Sequence, residues 1–394
     1  MDLKIRSLIE EKRDYMISIR RELHRCPETA GREERTREIL MRELNAMGVP
    51  FEKVDGTGLI ARVTGRIPGT TRLLRADMDG LPVIEEPENL RGPKACVSEM
   101  PGRCHACGHD AHMAMLLGAV KVLMDLRDRL KGTVLCCFEE GEEENTGVEN
   151  MLSALEKYPV ESCFALHVYA GLDAGKLDIS PGPRMAGMVG IGFHVIGKAG
   201  HGSRPDQAVN PIIPAAHIVT QLDAAFNNQL SARETITLGL CVFRAGEAYN
   251  VIPETAYVSG TARYFCPDEG EKALAIVRRT AENTADSFLC KVRFAANNRI
   301  ILPPAVNDPM TAERVRRGVE KMFSPEVIGN CETWFASESF SLYMKKYPGA
   351  LGLLGIRNEA LGSGAPHHNG RFDIDESVMP LGVGAHIAFA LEEE

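Results

Sequence analysis

The sequence contains no apolar run of the roughly 20 residues that a membrane-spanning helix needs. It also lacks a surplus of basic residues, because 54 acidic residues outnumber 45 lysines and arginines and leave a net charge of −9. Binding to nucleic acid would require a dominant basic face, which this balance argues against. We therefore expect no membrane and no nucleic-acid partner. The single Trp334 and an aromatic content of 6% do not identify an aromatic pocket.

No export leader is recognisable, because the first 23 residues form a charged amphipathic helical pattern instead of an apolar signal core. The cysteine count of eleven is odd. Most of these cysteines lie inside apolar runs, where a cysteine is usually a small buried hydrophobic residue. We therefore expect a cytoplasmic protein with reduced cysteines and no disulfides.

A chain of 394 residues is too long for one ordinary core and suggests two domains. Short apolar runs alternate with helical patterns up to about residue 184 and again from about residue 299, which predicts an α/β domain with a mostly parallel sheet. Between them, residues 185–298 follow the order βαββαβ of a ferredoxin-like unit. We expect a discontinuous catalytic domain, residues 1–184 and 299–394, interrupted by an inserted α+β domain, residues 185–298.

Acidic and histidine side chains follow several of the predicted strands. Asp77 and Asp79 come after the run RLLRA, a run of five glutamates within 139–144 follows TVLCCF, and His167 follows CFAL. His367 and His368 come soon after LGLLGI. Because the carboxyl ends of parallel strands share one edge of a sheet, where ligand sites form, we expect these side chains to converge there.

The segment CHACGHDAH, residues 104–112, precedes a strongly apolar helical run and joins the same edge. A structural zinc site would usually show a second Cys or His pair, and Cys104-x-x-Cys107 has none. A redox CxxC would suit a short thioredoxin-like chain. A nucleophilic Cys107 with His109 as its base stays possible. The mixture of one thiolate, imidazoles and carboxylates favours borderline divalent metals such as Zn, Mn, Co or Ni.

The motifs of this chain, taken together, resemble those of the dinuclear metal amidohydrolases that cleave N-acyl amino acids. That family includes hippurate hydrolases, auxin–amino acid conjugate hydrolases and N-acetyldiaminopimelate deacetylases, within the aminoacylase–carboxypeptidase clan. The resemblance covers nearly the whole chain, in the family's order: LHRCPE (23–28), LLRADMDGLP (73–82), HACGHDAH (105–112), FEEGEEE (138–144), ALHVYAG (165–171), GKAGHGSRP (197–205), NVIPETAYVSGTAR (250–263), SESF (337–340) and HHNGRFDIDE (367–376).

The resemblance implies two divalent metal ions per chain, held by Cys107, His109, Glu143, His167 and His368. The family's acid motif, F-Q-P-A-E-E, aligned on Phe138 places its two acids at Glu142 and Glu143, although the crowded acids allow a shift. Here Glu140-Gly141 stands where the family has Pro-Ala. The family's last ligand lies four residues before an aromatic residue, which selects His368 over His367.

The resemblance also implies the reaction, namely hydrolysis of an amide by a metal-activated water with Glu142 as general base. Asp79 would orient a metal-binding imidazole, and His201 would stabilise the oxyanion. Asn250 and Arg263 would hold the substrate carboxylate. The inserted domain would serve as a lid and a dimerisation surface, so a homodimer is expected.

Two other functions fit the same residues. A dipeptidase or an aminobenzoyl-glutamate type hydrolase would use the same metal site and differ in substrate. A catalytically weak metal-binding or ligand-binding homologue is the alternative from another class. It is suggested by the altered SESF motif, residues 337–340, and by the acid-rich run, residues 138–144. The sequence leaves the acyl group, the amino acid and the native metal open.

Overall fold

The computed structural model describes residues 3–391, which contain ten α-helices. In chain order they are α1 Leu3–Glu10, α2 Arg13–Arg25, α3 Glu34–Ala46, α4 His109–Asp125, α5 Val148–Leu155, α6 Ile212–Gln229, α7 Pro267–Asp286, α8 Pro309–Met322, α9 Ser341–Lys346 and α10 Met379–Leu391. None of the described helices is both long enough and apolar enough to cross a membrane.

Sixteen strands lie in the same described part of the chain. They are β1 Phe51–Lys53, β2 Leu59–Thr64, β3 Ile67–Asp77, β4 Lys131–Glu139, β5 Val160–Asp173, β6 Leu177–Asp178, β7 Gly182–Met185, β8 Gly187–Ile196, β9 Gly200–His201, β10 Ile236–Ala245, β11 Val251–Ile252, β12 Thr255–Tyr264, β13 Lys291–Phe294, β14 Ile300–Leu302, β15 Ala305–Asn307 and β16 Gly349–Arg357.

The chain divides into two compact units. The first comprises Met1–Gly182, Val306–Glu332 and Leu342–Glu394, and the second comprises Pro183–Ala305 and Thr333–Ser341. The second unit therefore interrupts the first in sequence. The domain boundaries expected from the sequence, at 184/185 and 298/299, stay predictions.

The first unit is built on a seven-stranded sheet with the order β1-β2-β4-β3-β5-β16-β6. The four central strands are mutually parallel, whereas the outer strands pair antiparallel. The prediction of an α/β fold with a mostly parallel sheet is confirmed. Helix α4 is apolar on nearly all sides, which suits a helix buried within the core, and its residues His109–Val120 are all buried.

The second unit has an antiparallel sheet with the order β10-β12-β8-β13, and β14 also pairs with β8. Its main elements follow the chain order β8, α6, β10, β12, α7 and β13. The two helices bury apolar side chains in a core shared with the sheet, among them Ile218, Leu222, Val277 and Ala281.

The register of the parallel strands brings the polar strand ends of the first unit together. Asp77, the last residue of β3, lies beside Glu139, the last residue of β4. On the other side of β3, Arg75 pairs with Ala165 of β5. Two further residues along both strands bring His167 level with Asp77. The sheet therefore gathers these side chains at one edge, as expected from the sequence.

A buried ion network joins the start of α4 to α2. Arg20 is 1% exposed, and its Nε donates to Asp110 Oδ2 over 2.7 Å. His24 Nδ1 lies 2.8 Å from the same oxygen, and His24 Nε2 lies 3.0 Å from Glu85 Oε1. Burial alone would raise the pKa of Asp110, but the adjacent Arg20 and His24 hold it well below its usual range. Asp110 is therefore ionised in the folded protein.

We predict that Asp110→Asn lowers the free energy of unfolding by about 1.5–3 kcal/mol, because the buried Arg20 guanidinium loses its 2.7 Å carboxylate partner and keeps the longer contact to Glu376. The folded pKa of Asp110 is depressed, so its stabilisation is fully present above the unfolded value of about 3.9 and is lost as the pH falls further. Denaturant unfolding of both proteins at pH 7 and near pH 2 measures this, with the larger difference between them expected at pH 7.

Asp128→Asn is the matched control, because Asp128 is 75% exposed and pairs with the exposed Arg66 over 2.8 Å. Such a surface pair contributes about 0–1 kcal/mol. Equal losses of stability in the two variants would contradict a special contribution from the buried pair.

Candidate metal centre

Gly108 places two candidate ligands on either side of one backbone turn. It has φ +93°, precedes the first residue of α4, and separates Cys107 from His109. A side chain at this position would collide with Val168 Cγ2 of β5. Glycine is favoured here for two reasons: it adopts the left-handed backbone without strain, and it leaves room for the strand that carries His167. Cys107 Sγ and His167 Nε2 lie 3.5 Å apart.

Asp79 contacts two of the candidate ligands through one carboxylate. Its Oδ1 accepts a hydrogen bond from His109 Nδ1 over 3.0 Å, and its Oδ2 accepts one from the Glu143 backbone N–H, also over 3.0 Å. With Nδ1 carrying the hydrogen, the Nε2 lone pair of His109 is available to a metal. These hydrogen bonds suit the orienting role that the family resemblance implies for Asp79, which stays a prediction.

The candidate ligand atoms form overlapping clusters in which the atoms of each cluster lie within 4.8 Å of one another. The clusters are Cys107–His109–His167, Cys107–Glu143–His368, His109–Glu142–Glu143 and Asp77–His109–His112. The first three contain all five predicted ligands and the predicted base. Cys107, His109 and Glu143 each belong to more than one cluster, so the clusters adjoin one another and have room for two neighbouring ions.

The donor chemistry of these clusters fits a metal. Within residues 3–391, His109 Nε2 and Glu143 Oε1 are buried and make no hydrogen bond. Buried polar atoms are nearly always satisfied, so such a pair within one cluster indicates a binding partner. A thiolate, imidazoles and carboxylates together suit Zn, Mn, Co or Ni. The residues present therefore fit the predicted divalent ions.

The electrostatics of the centre are governed by burial. Burial, and next the Glu143 charge, raise the pKa of Cys107 well above that of a free thiol. Burial, and next His112, lower the pKa of His167 well below its usual value, so this imidazole is neutral. A thiol with such a raised pKa is a poor nucleophile by itself, which disfavours a cysteine hydrolase.

His112 is held by hydrogen bonds at both ring nitrogens. Nδ1 lies 2.6 Å from Asp77 Oδ1, and Nε2 accepts from the Val168 backbone N–H over 2.9 Å. Asp77 in turn accepts from Arg75 Nη1 over 2.7 Å. Although Asp77 and His112 form a cluster with His109, both ring nitrogens of His112 are already bonded, which supports a structural, hydrogen-bonding role for this residue.

The two adjacent histidines near the C-terminus differ in their contacts. His368 has φ +61°, and its Nε2 lies 3.3 Å from Glu143 Oε1. His367 Nε2 instead accepts from the Ala170 backbone N–H over 3.2 Å. This arrangement supports the choice of His368 as the ligand. The left-handed backbone turns the two consecutive side chains towards different partners.

A cavity of about 670 Å³ adjoins the centre within the first unit. Its lining includes Glu143 and His368 together with residues of three loops, namely Thr29, Ala30, Arg32, Gly80, Leu81, Pro82 and Glu144. The volume is within the range of small-molecule sites. The cavity therefore gives a small substrate access to the candidate ligands.

The remaining predicted residues belong to the second unit. His201 lies in β9, which pairs with β11, and the adjacent Gly202 donates its N–H to the Asn250 carbonyl over 2.8 Å. Arg263 lies in β12, and its Nη1 donates to Ser337 Oγ over 2.5 Å. Ser337 begins the altered SESF motif. The roles of His201, Asn250 and Arg263 stay predictions.

Several buried polar residues around the centre were not predicted from the sequence. Glu139 accepts from Arg75 Nε over 3.1 Å and from Tyr343 Oη over 2.6 Å. Glu33 and Thr57 contact the loop that carries Glu142 and Glu143. The sequence marked Glu139 only as one of five acids after a strand, and Glu33 and Thr57 only as polar residues in glycine-containing stretches, which are common in loops.

Comparisons with known proteins agree with the geometry. A family model described as peptidase family M20/M25/M40 matches residues 73–392. The chain is 31% identical over 400 residues to thermostable carboxypeptidase 1 of Saccharolobus solfataricus, covering 100% of this chain and 99% of that protein. It is 35% identical over 264 residues to an N-acyl-L-amino acid amidohydrolase of Geobacillus stearothermophilus, covering 66% of this chain and 70% of that protein.

A solved structure of the same family is similar to this chain over nearly its whole length. The YXEP protein of Bacillus subtilis, described as a dinuclear metal binding peptidase from the M20 family, superposes with a TM-score of 0.83 at 27% identity. The match covers 97% of this chain and 98% of that one. The resemblance read from the nine motifs, and the prediction of a metal-dependent amidohydrolase, are confirmed by these relatives.

We predict that Asp79→Asn weakens metal binding by about 10- to 100-fold, the usual effect of losing a residue that orients a ligand. An asparagine has one acceptor oxygen and cannot accept from both His109 and Glu143, so one of the two would move. Titration of the metal-free protein with Zn²⁺ against a competing chelator measures the change.

Glu144→Gln is the matched control, because it also removes one negative charge beside the site and is exposed. An unchanged Zn²⁺ affinity in Asp79→Asn, or an equal loss in both variants, would contradict the orienting role.

Proposed function

Because the chain belongs to peptidase family M20/M25/M40, we propose that it hydrolyses the amide bond of N-acyl amino acids or related small amides in a metal-dependent reaction. One observation carries the proposal: Cys107, His109, Glu143, His167 and His368, which are widely separated in sequence, lie in clusters whose ligand atoms are within 4.8 Å of one another. The named activity of the Geobacillus stearothermophilus relative supports the substrate class.

In this proposal the five residues hold two divalent ions, of which Mn, Zn, Co and Ni suit the donors. Bound divalent metal would supply Lewis-acid polarisation of the amide carbonyl and a water of lowered pKa. Asp79 keeps His109 in the tautomer whose Nε2 is free to bind. The second-unit residues His201, Asn250 and Arg263 keep their predicted roles in binding the oxyanion and the substrate carboxylate.

Glu142 acts as the general base. It is 8% exposed, and a carboxylate oxygen of Glu142 lies within the cluster formed with His109 and Glu143. From there it takes a proton from the attacking water and returns it to the leaving amine. The buried surroundings limit competing water, and the adjoining cavity provides room for a small acyl group and amino acid.

A homodimer and a cytoplasmic location are further parts of the proposal. Both come from the sequence and the family resemblance.

The test is to measure metal content together with hydrolysis of N-acyl amino acids, dipeptides and an aminobenzoyl-glutamate before and after chelation. We expect about two ions per chain, and hydrolysis of N-acyl amino acids that chelation abolishes and added Mn²⁺, Co²⁺, Ni²⁺ or Zn²⁺ restores. Preference for dipeptides with a free amino group would instead identify a dipeptidase. Tight metal binding without turnover on any substrate would contradict the proposal. Activity lost to alkylation but unaffected by chelation would identify a thiol hydrolase.

We predict that Glu142→Gln lowers kcat by about 10²- to 10⁴-fold, the usual contribution of a general base, while the metal content stays unchanged. Glutamine keeps the size and polarity of the side chain but cannot accept the proton. Steady-state kinetics and metal analysis of the same preparation measure both quantities.

Glu149→Gln serves as the control for a lost charge, because Glu149 is exposed at the start of α5 and does not line the cavity, and it should keep the wild-type kcat. If Glu142→Gln retained full activity, the base would have to be another acid in the run, and the alignment on Phe138 would be wrong.

A further inference from the structure

The loop that carries Glu142 and Glu143 depends on contacts from outside its own segment. It leaves β4 after Glu139 and turns at Gly141, whose φ is +61°. Within the loop, the Thr146 N–H donates to the Gly141 carbonyl over 3.0 Å. The Asn145 N–H also donates to the Glu142 carbonyl over 2.9 Å, and Asp79 accepts from the Glu143 N–H over 3.0 Å, so these contacts hold the loop from Glu142 onwards. Two acids that the proposed mechanism does not use supply the additional contacts.

The first of these acids is Glu33, which lies just before α3 and is fully buried at 0% exposure. Its Oε1 accepts from the Gly141 backbone N–H over 2.8 Å and from the Gly31 N–H over 3.2 Å. Glu33 therefore holds the backbone at the residue directly before Glu142.

The second acid is Glu140, which is 5% exposed and reaches Thr57 in the loop before β2. Its Oε2 accepts from both the backbone N–H and the hydroxyl of Thr57, the latter over 2.6 Å. Its carboxyl group occupies the space beside Gly56, where any side chain would collide with it. Glu140 therefore fixes the loop on the other side of Gly141.

Thr57 connects the two acids. Its Oγ1 lies 2.8 Å from Glu33 Oε2 and 2.6 Å from Glu140 Oε2. A hydroxyl has one hydrogen, so it donates to one carboxyl and must accept a hydrogen from the other. Glu140 Oε2 already accepts from the Thr57 backbone N–H, whereas the two backbone N–H groups that bond to Glu33 both use its Oε1. The geometry therefore indicates a hydrogen-bonded series in which Glu33 Oε2 donates to the Thr57 hydroxyl and this hydroxyl donates to Glu140. Burial raises the pKa of Glu33 to about 7, which agrees with a hydrogen on this carboxyl.

We propose that Glu33, Thr57 and Glu140 are positioning residues that set the direction of Glu142 and Glu143 through the backbone of Gly141. The inference rests on the proposed function, because it gives these two glutamates their roles as base and ligand. It also gives a role to Glu140-Gly141, the pair that departs from the family's usual Pro-Ala: an acid at 140 can bond to Thr57, and glycine at 141 permits the left-handed turn.

The test compares two substitutions of Thr57 that differ in the hydroxyl. Thr57→Val keeps the shape and removes the hydroxyl, whereas Thr57→Ser keeps the hydroxyl. The readouts are the dissociation constant of Co²⁺, measured by visible absorption on the metal-free protein, and kcat and KM on the N-acyl amino acid that the wild type hydrolyses best. A displaced carboxylate should also change the Co²⁺ absorption spectrum.

We expect Thr57→Val to weaken Co²⁺ binding and lower kcat by about 10- to 100-fold each, with little change in KM, because displacement of an orienting group has effects of this size. Thr57→Ser should stay within about threefold of wild type, equivalent to less than 1 kcal/mol. Glu33→Gln should likewise stay close to wild type, because its amide can donate to Thr57 and accept from Gly141. Glu33→Ala should behave like Thr57→Val.

Thr311→Val is the control for a merely structural effect. Thr311 is buried like Thr57, and its hydroxyl donates to a carboxylate, Asp308 Oδ1, over 2.8 Å at the start of α8. This variant should lower the melting temperature and leave the Co²⁺ affinity and kcat unchanged. Unchanged Co²⁺ affinity and kcat in Thr57→Val, or equal losses in Thr57→Val and Thr57→Ser, would overturn the inference.

The two proposals can fail separately. If the wild type hydrolysed no N-acyl amino acid, the proposed substrate class would be wrong, while the Co²⁺ affinities of the four position 57 and 33 variants would still decide the positioning role. If Glu33→Gln lost Co²⁺ affinity as strongly as Glu33→Ala, the hydrogen-bonded chain would be wrong even in an active enzyme.

Discussion

The carboxylate of Asp79 is the contact on which the rest of the candidate metal centre depends. It binds the imidazole of His109 at the start of α4 and the backbone of Glu143 in the loop after β4. Along the chain, these two segments are separated by the whole of α4 and β4. One acid directly after β3 therefore sets the distance between two ligands, and the parallel sheet sets the position of that acid.

The full set of candidate ligands, and the choice of His368 over His367, came from the family resemblance. A local rule finds part of the candidate site by itself: acids and histidines after buried strands converge at one edge of a parallel sheet, which brings together Asp77, Asp79 and His167. The fold of the first unit could be predicted for the same reason, since strands alternating with helices leave few other topologies.

The supporting contacts could not be found in this way because they join segments far apart in the chain. Tyr343 reaches Glu139 across 204 positions, and Glu33 reaches Gly141 across 108. No period or motif encodes such pairs; they arise only when the packed sheet brings the loops together. Glu140 illustrates the difficulty, because a run of acids usually indicates a solvated turn, whereas this side chain is buried against Thr57.

The contact between Arg20 and Glu376 has a consequence for how the candidate centre is assembled during folding. These residues are 356 positions apart, and Arg20 also contacts Asp110, the neighbour of His109. His368 lies shortly before Glu376 in the sequence, so the same long-range contacts bring the last candidate ligand to the start of α4. Since contacts between residues far apart in sequence form slowly, the candidate centre is complete only when the first unit has folded as a whole.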